Sequence, residues 1–231
     1  MIQAKKFTRA EQAHCHSWEV GWAIMRAARG VKQRAFAYGY LTHLASDVFS
    51  HNHYVPMQLV TSFRAPGMRH IYWEVHFDTL QATPYREVLS EVRNHSFPEC
   101  DALVEEVVGR TLFSFQTDKR IFDSFVAIQD MNQWQRLMSG FAARSPHQLP
   151  AGTVEEYNTA CLTSILDLLQ RGKRSACQQD DPIGLDALRE ARQTRRNVHL
   201  LVSNSSAPAH VILTLVRLST AHPFPVPAIP T

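Results

Sequence analysis

The sequence predicts an all-α protein, and three observations carry that prediction. No stretch sustains the alternation of apolar and polar residues that a half-buried strand requires. Several stretches instead repeat apolar residues every three or four positions, as amphipathic helices do. Within residues 36–56, FAYGYLTHLASDVFSHNHYVP, the residues His43, Asp47 and His51 recur every four positions. That spacing stacks them on one face of a helix.

Taken in order, residues 1–16 are polar and short of apolar anchors. Ser17 is placed to cap a helix over 18–29, with Val20, Ile24, Ala27 and Ala28 inward and Gly30 ending it. The central helix is expected over 32–52. Leu41, Leu44 and Val48 lie opposite the histidine stripe, and Pro56 limits the end. Residues 59–67 read as a linker around Pro66 and Gly67, followed by helices over 68–81 and 85–94. After Phe97 and Pro98, helices are expected over 99–115 and 118–144, then a loop over 145–152.

Thr153 is expected to cap a helix reaching Gly172, with Tyr157, Cys161, Ile165, Leu168 and Leu169 inward. Residues 172–181 read as a polar surface loop. Asp181 and Pro182 open a largely solvated helix to about residue 196. Residues 198–202 are compatible with strand or helix, a last helix is expected over 209–220, and the tail PFPVPAIPT reads as extended. The domain reading is a helical domain over 1–172 and, packed on it, a C-terminal helical extension over 173–231 that ends in a proline-rich tail.

Composition narrows the class. The chain has 231 residues, enough for a full hydrophobic core. Its formal charge is +3, with the basic residues scattered, which does not by itself argue for nucleic acid and mildly favours an anionic substrate; no specific nucleic-acid partner is expected. Twelve histidines are an excess, and six precede Tyr72. Cys15, Cys100, Cys161 and Cys177 form no C-x-x-C pair, so free thiols are expected. No apolar signal region follows the basic start, and no run of eighteen apolar residues occurs. As written, the chain reads as cytoplasmic, or as secreted or periplasmic if a leader precedes Met1.

The residues with chemistry form two clusters. Imidazole and carboxylate on one stripe are donors that zinc takes, and a buried aspartate on an apolar helix needs a partner. Hydrogen-bonded core histidines are the alternative. His70 and Glu74, again four apart, follow in GMRHIYWEVHFD. His16 precedes the first helix and joins the ligand candidates ahead of His14 and Cys15. His76 and Asp78 are expected to act through hydrogen bonds to ligands. His53 lies off the stripe on an ideal helix, about 240° from Asp47 against about 40° for His51.

The H-x-x-x-D motif with its following histidines, then H-x-x-x-E, resembles the zinc-dependent phospholipase C family of bacteria. The block AFAYGYLTHLASDVFSHNHYVP is similar to members with a HLxxDxxxHNxxVP signature. The resemblance covers roughly residues 16–74. It implies a multi-helix bundle around a cluster of two or three zinc ions, with Asp47 bridging two of them. His16 and His43 would complete one zinc. His70 and Glu74 would hold another with either His51 or His53, a choice the resemblance leaves open. Asp47 and Glu74 are the carboxylates to which catalysis is assigned.

The implied chemistry is phosphodiester hydrolysis, since zinc lowers the pKa of bound water to about 7 and clamps phosphate oxygens. The implied substrate is a phosphoester or phospholipid, with transient contact to a membrane surface. A nuclease or nucleotidase would share the metal chemistry, and Trp18, Trp22 and Trp73 are its candidate stacking platforms. A metal-binding domain with weak or no activity is the third reading. The family begins with a zinc-binding tryptophan and carries an aspartate base upstream of the His16 motif, but no aspartate or tryptophan precedes His16 here. One to two zinc ions are therefore expected. Glu11 is the one carboxylate upstream, and hydrolysis is expected to be weakened by about 10² or more, the usual general-base contribution.

Overall fold

The computed structural model describes residues 15–62, 70–80, 88, 91, 95, 97–108 and 152–204. Among these the only regular elements are helices, as the sequence predicts. The expected elements over 118–144 and 209–220, the proline-rich tail and most of 85–94 lie outside the described residues. No helix among the described residues is long and apolar enough to cross a membrane. The chain divides into two compact units, one of residues 1–44 and 76–148, the other of 45–75 and 149–231.

In the first unit, α1 (Trp18–Ala27) begins where Ser17 Oγ accepts a bond from the Val20 N–H at 3.3 Å. This is the N-cap expected from sequence. The helix ends at Ala27, two residues earlier than expected, because Ala28 turns extended. Gly30, with φ at 71°, opens the next helix, α2 (Gly30–Phe49), where a stop was expected. Positive φ is cheap only for glycine, so this residue lets two helices join across a tight corner.

Val20, Ile24 and Ala28 pack on Ala37 of α2 and on Leu103 of α5 (Pro98–Val108). Close approach of α1 to α2 depends on Gly21. A Cβ there would stand 2.8 Å from Leu44 Cδ1 and 2.9 Å from Leu41 Cδ2, both in buried side chains. Tyr40 adds a tie by donating its hydroxyl to the Cys15 carbonyl.

The second unit takes over α2 at Ala45. Pro56 was expected to limit this helix, yet the helical path continues. Residues Ser50–Tyr54 form a π turn, and α3 (Val55–Thr61) follows with Pro56 in its first turn. The widening has a local cause. Proline has no N–H and its ring crowds the carbonyl four residues back, here Asn52. The Val55 N–H reaches back to Ser50 instead, across one extra residue. Helix therefore occupies residues up to Thr61 that sequence assigned partly to a linker.

The helix α4 (His70–Thr79) gives way to a turn at Leu80, short of the expected end at 81, while residues 68 and 69 lie outside the described residues. The helix α6 (Thr153–Arg171) is entered through Gly152, with φ at 84° and no side-chain cap. Thr153 is thus the first helical residue and not the cap. Leu169, expected inward, is 47% exposed.

Two 3-10 turns, Gly172–Arg174 and Ala176–Gln179, then bury Ser175 and Cys177 where a surface loop was expected. The Asp167 carboxylate holds them, accepting from Ser175 Oγ at 2.7 Å and the Ala176 N–H at 2.9 Å. Finally α7 (Leu185–Asn204) runs past the expected end at residue 196 and resolves 198–202 as helix. It packs on α3 and buries Leu188, Ala191 and Val198. An apolar stripe thus lies under a sequence that reads as solvated.

Candidate metal centre

The stripe predicted on the central helix forms on α2. His43 and Asp47 stand one turn apart on a continuous helix, and His16, held against that helix by α1, meets His43. The two imidazoles are edge to face with ring centroids 5.0 Å apart. One ligand atom from each of His16, His43 and Asp47 lies within 4.8 Å of the other two. Ligand atoms on a tetrahedral zinc stand about 3.4 Å apart, so small side-chain adjustments would close the group on an ion. Two imidazoles and one carboxylate are a donor set that fits zinc, and three protein ligands leave a fourth position open. Asp47 is only 9% exposed while His43 faces solvent, so the set is charged at its base and open at its rim.

One turn further, the second cluster assembles within a single unit. His51 is buried and reaches Glu74 of α4, with Nε2 at 3.0 Å from Oε1. Its Nδ1 lies 2.6 Å from the Pro182 carbonyl. A carbonyl only accepts, so Nδ1 carries a proton and Nε2 is the nitrogen presented to Glu74. The contact is an ion pair when Nε2 carries a second proton. Burial pulls the imidazole down, but the bond to Glu74, the Asp47 charge, the Pro182 carbonyl and the Glu74 charge outweigh it and hold His51 above its ordinary value. A divalent cation would satisfy the same two atoms, and a carbonyl on the far ring nitrogen is how a ligating histidine would be fixed.

The remaining sequence candidates distribute as follows. His53, in the π turn, is half-buried with its ring 5.5 Å from that of Phe49. His70 opens α4 one turn before Glu74, while its side chain lies outside the described residues. His14 and Glu11 lie outside them too. Cys15 is half-buried and offers its carbonyl to Tyr40. His76 is buried, and desolvation pulls its imidazole below the ordinary value; Asp78 is exposed. Trp73 is fully buried and its carbonyl accepts from the Tyr54 hydroxyl at 3.0 Å, which fixes α4 at the turn that carries Glu74.

Sequence reasoning missed the Pro182 carbonyl altogether. Its only signal was the string Asp181-Pro182-Ile183-Gly184, a tight-turn pattern that fixes a backbone without advertising a ligand.

Residues 4–114 match the family model described as zinc dependent phospholipase C. Both clusters fall inside that stretch, whereas Pro182 falls outside it. No curated protein and no solved structure matches the chain.

Proposed function

From the match of residues 4–114 to the zinc-dependent phospholipase C family model, we propose that the chain hydrolyses a phospholipid phosphodiester. The observation that carries the reading is the gathering of His16, His43 and Asp47 within 4.8 Å. In this reading those three would hold one zinc, and His51, Glu74 and His70 would hold a second, with Asp47 one turn from His51 on the same helical path. Zinc supplies Lewis acidity and a bound water of lowered pKa.

What the protein contributes is placement and charge. Asp47 brings a buried negative charge that offsets neighbouring cations, which costs less than leaving those cations bare in a low-dielectric site. Asp47 and Glu74 together are the carboxylates of the reaction centre. The Glu74 side chain is 37% exposed. Solvent and substrate thus reach the second cluster from its side, while His51 closes it from the protein side. Trp18 and Trp73, two of the stacking platforms a nuclease would want, are buried in the core. That favours a lipid phosphodiester over single-stranded nucleic acid.

The test is an assay of the zinc-loaded chain on a phosphatidylcholine analogue, a bis-aryl phosphodiester and single-stranded DNA, each with and without chelator. Chelator-sensitive release of a phosphorylated head group from the first substrate is expected. Turnover of DNA alone would move the assignment to a nuclease. No turnover of any substrate by a chain that retains zinc would leave a metal-binding domain without hydrolysis.

A further inference from the structure

The short loop after the second 3-10 turn, residues 181–184, lies outside the family-matched stretch and against its centre. We propose that this loop is a positioning device for His51, fixing through the Pro182 carbonyl which ring nitrogen faces the metal. The inference rests on the zinc reading above for its function, and on geometry alone for its structure.

The loop that carries this carbonyl is held by several bonds. Pro182 is fully buried, and its fixed φ removes one backbone freedom. Asp181 folds its carboxylate over the loop, with Oδ1 accepting from the Ile183 N–H at 3.0 Å and Oδ2 from the Leu185 N–H at 3.2 Å. The Asp181 carbonyl accepts twice, from the Gly184 N–H at 3.0 Å and from Asn52 Nδ2 at 2.8 Å. Asn52 also donates to the Val48 carbonyl at 2.9 Å, so one amide clamps the loop to the helix that carries Asp47 and His51.

Gly184 sets the distance. Its φ is 63°, and a Cβ there would lie 2.3 Å from the His51 carbonyl oxygen and 2.6 Å from His51 Cβ. Only glycine admits both that backbone conformation and that approach. The loop therefore grips the backbone of His51 and its ring at once. A ligating imidazole free to rotate would present either nitrogen, and the partner on the far nitrogen decides which.

The experiment compares Asn52→Ala, Gly184→Ala and a control, Gly152→Ala, in the full chain. Gly152 has the same sign of φ with nothing within 4 Å of an added Cβ, so it reproduces backbone strain without touching His51. Two quantities are read. One is the His51 Nδ1–H proton resonance of the metal-free chain, expected downfield and slow to exchange. The other is zinc affinity by competition with a chromogenic chelator, in variants shown by circular dichroism to be folded.

The expected result is loss of the resonance, with affinity lowered roughly 10–100-fold, in Asn52→Ala and Gly184→Ala but not in Gly152→Ala. If Gly184→Ala does not fold, Asn52→Ala decides. Wild-type affinity in the folded loop variants overturns the inference and leaves the zinc reading standing. A wild-type chain with the protected proton but no zinc binding overturns the zinc reading and the loop's function with it.

Discussion

His51 Nε2 stands 3.0 Å from Glu74 Oε1, joining residues 23 positions apart in the chain. His53, two residues on, has its ring against Phe49 instead. Removing His51 therefore opens the second cluster, whereas removing His53 takes away a ring packed on Phe49. His51→Ala is expected to lower zinc affinity at least tenfold more than His53→Ala, read by chelator competition. The reverse ranking would assign the ligand to His53.

Asp47→Asn keeps shape but removes the negative charge on which the stripe centres. Zinc retained after desalting should fall to less than half the wild-type content, by elemental analysis. Unchanged metal content would make Asp47 a structural residue.

Ser17 is the buried cap of α1 and the neighbour of His16. Ser17→Ala should cost about 1 kcal/mol of unfolding free energy in urea titration, the usual value of such a cap. An unshifted midpoint would show that the 3.3 Å bond contributes nothing.

Burial pushes the Cys161 thiol from 9.0 up to about 11, with a hydrogen bond to the Ser46 side chain opposing the rise and the Asp47 charge adding to it. The folded chain then keeps a proton that the unfolded chain gives up. This thiol's contribution to stability is intact below about 9 and is lost as pH rises through about 11. Iodoacetamide at pH 8 should modify Cys161 at least about tenfold more slowly in the folded chain than in urea, because the thiolate is the nucleophile. Equal rates, followed by mass spectrometry of the peptide, would contradict the shift.

The sequence carried the first ligand group almost completely. Four-residue spacing is a helix property, so His43 and Asp47 needed no tertiary information, and Ser17 marked where α1 begins with His16 just ahead. What escaped was set by backbone. Pro56 reads as a stop, and nothing local says that the helix will widen by one residue and continue. The α7 stripe of Leu188, Ala191 and Val198 was hidden among arginines, whose long stems let a buried face look solvated in the sequence. The Pro182 carbonyl was invisible for a simpler reason: every residue has one.

The π turn at Ser50–Tyr54 also makes the chain's length at this point part of its code. One residue more than an α turn is stored there, and Pro56 is what keeps it stored. Pro56→Ala with no change in length would let the same residues wind as a continuous α-helix. The two halves, Gly30–Phe49 and Val55–Thr61, would then change phase by up to about 100°. The stripe that carries Asp47 and the face that packs on α7 could no longer both be served. Homologous chains that lack the proline should therefore also differ by one residue here, so an insertion and a substitution would be inherited as a pair.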